Sequence, residues 1–205
     1  MARRKIVLCK LEDLKVFMSP QRQKLLRYMQ INGQPMTSKA IADMLDVSTS
    51  SAQFHIRKLE KLGIVELDHT EMINGIRAKY YCVADVDVSI GTCLDDHFNK
   101  ERHIIMQNVI KDTFEGFIDI YDSGLSKESH AMNSEFLNGV VHLSQEDAKE
   151  LHEQIAQFVA EREHPGEGTQ PWEFTLLAYN ADTHKRAMAM KKTSSKSQGG
   201  EKIEE

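Results

Sequence analysis

No apolar run in this 205-residue sequence approaches the ~18 residues that a membrane-spanning helix needs. The basic start, Met1-Ala2-Arg3-Arg4-Lys5, is followed by an apolar stretch of only Ile6 to Cys9, too short for a signal peptide's core. Three cysteines (Cys9, Cys82 and Cys93) are too few and too scattered for a disulfide framework, which points to a reducing, cytoplasmic setting. Also missing are a Gly-x-Ser-x-Gly elbow, a phosphate-cradling glycine loop and any His-x3-His or Cys-x2-Cys pair. Neither an enzyme nor a cofactor-dependent protein is expected. What is present, 40% hydrophobic and 28% charged residues, excludes a wholly disordered chain.

Charge is unevenly placed. Residues 1–85 carry 14 Lys+Arg against 9 Asp+Glu, whereas residues 86–205 carry 12 against 22. A basic first half on an acidic second half is the asymmetry expected when only the first meets a polyanion.

The basic half reads as helices closed by a hairpin. Ser19-Pro20 opens a helix with Leu25, Leu26 and Met29 on one face, ending near Asn32-Gly33. Thr37 caps a second, Ser38 to Leu45, with Ile41, Met44 and Leu45 expected inward. After a tight Asp46-Val47 turn, Ser48 caps a third, residues 49–62, whose Ala52, Ile56, Leu59 and Leu62 form an apolar stripe stopped by Gly63. Then the period changes to two: Ile64 to Asp68, Asn74-Gly75, and Arg77 to Val83 predict a β-hairpin. Two helices across a tight turn and a hairpin wing make a winged helix-turn-helix, expected over residues 1–88.

Opposite the apolar stripe the third helix presents Ser48, Thr49, Ser50, Ser51, Gln53, His55 and Arg57, and no Asp or Glu occurs from Val47 through Leu59. Hydroxyls and free amides at a helix N-terminus suit phosphate oxygens, and Gln or Arg pairs with base edges in the major groove. Thr37, Ser38 and Lys58, with Arg77 and Lys79 of the wing (residues 64–83), complete the expected contacts to double-stranded DNA.

The run from Thr37 to Val65, with His55-Ile56-Arg57-Lys58-Leu59-Glu60, Gly63-Ile64-Val65 and the later Gly75 to Tyr81, resembles the winged helix-turn-helix of arsenic-repressor-like (ArsR-like) transcription regulators. The resemblance covers roughly residues 11–85 and implies a DNA-binding regulator, more often a repressor. It departs at the helix before the turn, which lacks the cysteine pair of the metal sensors, and at Asp46, where Gly is common.

In the acidic half, Thr92-Cys93-Leu94-Asp95 is expected to cap a long helix over 92–122. Its apolar face (Leu94, Phe98, Ile105, Met106, Val109, Ile110, Phe114, Phe117, Tyr121) predicts a homodimer seam, so that two recognition helices meet an inverted-repeat operator. Gly116 is expected to weaken or bend it. Residues 132–182 read as a β-α-β effector or dimerisation region for an unspecified small molecule. Its strands are expected at 135–143 and 172–179, around a helix opened by Ser144 and Asp147. A disordered tail is expected over 190–205. The fold class is thus α+β, mainly α. Cys93 and His97, four apart on the expected long helix, are the only pair suggesting a metal, and a buried thiol beside a surface imidazole explains them more simply. A winged helix used purely as a protein-interaction module is the alternative, but a protein partner has no general need for an acid-free helix face.

Overall fold

In the computed structural model, which describes residues 3–91, 95–124 and 133–198 (backbone alone from 191), the first helices form where apolar spacing and caps place them. They are α1 (Leu11–Phe17), α2 (Pro20–Asn32), α3 (Ser38–Leu45) and α4 (Thr49–Lys61). Gly33 closes α2 in the left-handed region at φ 63°, and Asp46 closes α3 at φ 53°. A short polar side chain tolerates that conformation, so the turn survives without glycine. Thr37 and Ser48 cap as expected, each hydroxyl accepting a backbone N–H at 3.1 Å, from Ala40 and Ser51. Ser19 stands at the N-cap position of α2 but makes no side-chain capping bond.

The stripes of α2, α3 and α4 meet in one core of Leu25, Leu26, Met29, Ile41, Ala42, Ala52, Ile56 and Leu59, closed by Ile64, Val65 and Tyr81. Met44 is a correction, because it is exposed. Ala42 and Leu45 share the burial of α3 with Ile41, and they turn its inward direction away from Met44.

Tyr81 comes from an antiparallel sheet of β2 (Met36–Thr37), β4 (Ile76–Val83) and β3 (Val65–Ile73), in the order β2-β4-β3. The hairpin turns through Asn74 and Gly75, at φ 50° and 80°, the positive pair that Asn-Gly supplies most cheaply. A bulge between Leu67 and His69 sets Asp68 out of register. A second pairing was not foreseeable: β1 (Arg4–Val7) runs parallel to β5 (Val86–Ser89), with Ile6 opposite Val88.

Behind this lies a smaller core of Leu8, Leu14 and Ile105, the last from the long helix α5 (Asn99–Asp122). This helix starts at Asn99 rather than at the expected Thr92, and residues 92–94 lie outside those described. Asp96 explains the late start. Its carboxylate accepts the Phe98 N–H at 3.0 Å and both terminal nitrogens of buried Arg102, at 2.5 and 2.7 Å. Arg102 also donates Nε to the Ile90 carbonyl at 2.6 Å, tying the exit of β5 to the first turn of α5. The Arg102 hydrogen bonds, then the Phe98 amide, hold the Asp96 carboxyl well down, at about 2. Past Ile105, Val109, Phe114 and Tyr121 of this helix are exposed.

The C-terminal stretch departs further from expectation. Helix α6 (Gln145–Ala160) does open on a reciprocal capping box between Ser144 and Asp147. The two flanking strands are corrected: 135–143 and 172–179 carry no strand ladder. Alternation makes a segment able to pair, but a ladder needs a second edge, and neither segment forms one among the described residues. Leu137 is 92% exposed and Trp172 62%. The tail is corrected too, because α7 (Ala181–Gln198) continues through the residues expected to be disordered, up to 198. Its Ala, Met, Lys and Gln content favours a helix even where little is available to bury. Residues 199–205 lie outside those described. The chain divides into two compact units, one ending at Glu173 and the other beginning at Phe174.

Candidate nucleic-acid interface

Burial of Ala52, Ile56 and Leu59 fixes the roll of α4, so its opposite side faces outward. Ser48, Thr49, Ser50 and Arg57 are exposed there, and Ser51, Gln53 and Lys58 are half-buried at its margins. The Ser48 hydroxyl is shared, accepting the Ser51 N–H while lying 3.0 Å from the Ser50 hydroxyl. Whichever hydroxyl donates in that contact, the other of the pair keeps a proton to donate to an anion. Thr37 and Ser38 are half-buried at the start of α3, where the Thr37 oxygen is engaged as a cap. One exposed apolar residue on α4 has no place in the expected contacts: Phe54, which is 54% exposed.

His55 is placed differently from its neighbours. Its Nδ1 lies 3.3 Å from Arg22 Nη1 on α2, and it is half-buried. Arg22 is held in turn by carbonyls at the end of α1, from Nε to Val16 at 2.5 Å and from Nη2 to Lys15 at 3.3 Å. Burial, and next the Arg22 charge, push the His55 pKa down. A neutral His55 therefore braces α4 against α2.

Strand register sorts the wing. Cross-strand partners share a face, so Arg77, Lys79, Tyr81 and Val83 lie with Met72, Thr70, Leu67 and Val65. That face begins in the core at Val65 and Tyr81 and ends in two exposed cations. The other face carries Glu66 and Glu71 with Ala78, Cys82 and a His69–Tyr80 stack of 4.4 Å between centroids. Acid and base are thus segregated across one hairpin, which residue counts alone do not reveal.

The suggested metal pair is not supported as drawn. His97 precedes the first turn of α5 rather than lying on it, and Cys93 is outside the described residues. Burial, then Glu66 and Asp68, push the Cys82 thiol up, away from the thiolate form that binds metal. Among the described residues no three His, Cys, Asp or Glu side chains gather into a candidate metal site. No helix among those residues is long and apolar enough to cross a membrane.

Residues 17–68 match the family model of a helix-turn-helix domain, which covers α2, α3, α4 and the start of the wing. No curated protein matches the chain. Among solved structures, a possible transcriptional regulator from Methanosarcina mazei is 15% identical over 57% of this chain and 80% of its own, at a TM-score of 0.26. The heme sensor protein PefR from Streptococcus agalactiae is 13% identical over 74% and 78%, at 0.28. A mutant of MepR from a multidrug-resistant S. aureus clinical isolate is 12% identical over 69% and 77%, at 0.26. Scores this low establish neither a shared overall shape nor a shared ligand.

Proposed function

We infer that the protein is a sequence-specific, DNA-binding transcription regulator that inserts α4 into the major groove. The observation that carries this reading is the outward side of α4, fixed by a buried stripe and free of acids from Val47 through Leu59. Ser48, Thr49, Ser50 and Ser51 meet phosphate, Thr37 and Ser38 approach the same strand, and Gln53, Arg57 and Lys58 reach base edges or flanking phosphate. Arg77 and Lys79 lie along the adjacent backbone, with the glutamates of the wing turned away from it. His55 acts by holding α4 in place.

The regulator works as a homodimer on an inverted repeat, and the exposed Val109 and Phe114 of α5 support this pairing. Repression results where the operator overlaps a promoter. The C-terminal region, with its own exposed apolar segments, takes the effector or reinforces the dimer.

Selection of bound duplexes from a random pool at near-physiological salt tests the reading. The expected product is one inverted repeat with half-sites about one helical turn apart, bound less tightly as salt rises because counterions are released. Recovery of no sequence at any salt, with the folded chain instead retaining a protein partner through α4, would replace it with the interaction-module reading.

A further inference from the structure

The side of α4 assigned to DNA has an apolar residue at its centre. At roughly 100° per residue, Ala52, Ile56 and Leu59 all fall within about 40° of the direction opposite Phe54. By the same count Ser50, Arg57 and Lys58 lie within about 60° of the ring, and Gln53 and His55 flank it at about 100° on either side. Phe54 therefore has no part in the core that fixes its helix, and the residue stays 54% exposed. Its ring meets polar groups: the His55 imidazole edge-on at 5.5 Å between centroids and the Lys58 ammonium 5.6 Å from the ring centre. Hydroxyls, amide and guanidinium surround a greasy ring on the outward side of the helix.

In the major groove one group answers such a ring. Every base edge there presents hydrogen-bonding atoms, and thymine alone adds an apolar methyl. Cationic and hydroxyl neighbours match the phosphates on either side, so the patch is complementary to DNA as a whole rather than to an apolar protein surface. We propose that Phe54 is a specificity-determining residue that packs on the 5-methyl group of a thymine in each half-site, beside the base pair read by Arg57 or Gln53. This rests on the DNA-binding reading above and adds the base it selects.

The test replaces thymines of the selected operator one at a time by deoxyuridine, which removes the methyl and leaves base pairing intact. Wild-type protein loses about fourfold in affinity at one position per half-site, the worth of burying one methyl-sized group. Phe54→Ala binds the thymine and deoxyuridine operators equally, and Phe54→Leu restores part of the difference. Both variants keep the wild-type melting temperature, since the ring packs on nothing in the core. Sensitivity to deoxyuridine that persists in Phe54→Ala overturns the proposal, as does a wild type indifferent to every replacement; in either case DNA binding itself stands. A wild type that binds no duplex overturns both readings together. Capture of a protein partner that Phe54→Ala releases, without any thymine effect, assigns the ring to that partner instead.

Discussion

The helix-turn-helix region and the stretch from residue 133 to 190 contain similar kinds of apolar residue but treat them in opposite ways. In the first, the stripes of α2, α3 and α4 turn on one another and on Tyr81, and their leucines and isoleucines are almost completely buried. In the second, Leu137, Val140, Trp172, Leu177 and Tyr179 are all exposed, and α6 has no buried residue. Helices close a core with neighbours a few residues away. A strand needs a paired edge, and segments 135–143 and 172–179 are not joined by a tight hairpin turn that would supply one locally. The N-terminal region is therefore complete in one chain, while the C-terminal stretch retains apolar surface that a second copy or a ligand can cover.

The largest expected effect separates the two regions directly. Ile56→Ala leaves a cavity beneath α4 and costs about 2–5 kcal/mol, independent of protein concentration. Leu137→Ala costs no more than about 0.5 kcal/mol in a single chain, as for any surface substitution away from packing. If residues 133–190 are covered in a homodimer, the Leu137 variant instead shifts denaturation in a concentration-dependent way. Denaturant melts at two widely separated protein concentrations give both answers. A concentration-dependent loss at Ile56 would erase the contrast.

Next comes function without stability. Arg57→Ala removes an exposed guanidinium and lowers operator affinity by about 1–3 kcal/mol while the melt is unchanged. Unaltered affinity takes Arg57 out of the interface.

Acid sharpens the comparison by a different route, through His55 in the N-terminal region. The folded His55 pKa is depressed below its unfolded value, so the native state resists protonation. Stability is full above the unfolded histidine range of about 6.5 and declines as pH falls through it, levelling off below the lower folded value. Asp96 adds a second loss at lower pH. Its carboxylate contributes above the ordinary carboxylate range, and that contribution fades as pH falls towards about 2. His55→Asn is expected to remove the upper step and leave the lower one. Denaturation midpoints measured on both sides of the histidine range read this out, and an unchanged upper step would detach it from His55.

The parts of the fold legible in the sequence obey the same local rule. Ser48, Thr37, Gly33 and Asn74-Gly75 act within a few residues of themselves, so α2, α3, α4 and the hairpin could be read from caps and spacing. The β1–β5 ladder joins Arg4 to Val86, and the Arg102 clamp depends on the Ile90 carbonyl and on Asp96. Neither leaves a periodic trace. At the site, the polar residues of α4 were identified by type, which placed Arg57 correctly on the exposed side but missed the partner that half-buries His55. Phe54 belongs to neither list, an apolar residue that the helical angle sets on the side opposite the buried stripe. The wing glutamates needed the observed register, since the bulge at Asp68 alters which residues share a face.

Gly116 gives the smallest expected effect. The sequence suggests a weak or bent point in α5, yet the helix runs unbroken from Asn99 to Asp122. An added Cβ would lie 2.8 Å from Arg27 Nη2, so the missing side chain lets a guanidinium from α2 rest on α5. There Arg27 grips Glu173 through Nε at 2.7 and 2.8 Å and Nη2 at 2.6 Å. Gly116→Ala gains up to about 1 kcal/mol of helix propensity. It also displaces the tip of a flexible side chain and loosens an ion pair at the surface, worth about 0–1 kcal/mol. The two nearly cancel, and the melt should move little. The double variant Gly116→Ala with Glu173→Gln separates them: with the pair already broken, alanine should show its full helix gain. A large loss in the single variant would instead mean that α5 depends on this contact with α2, making the long helix part of the self-sufficient region rather than a link to the C-terminal stretch.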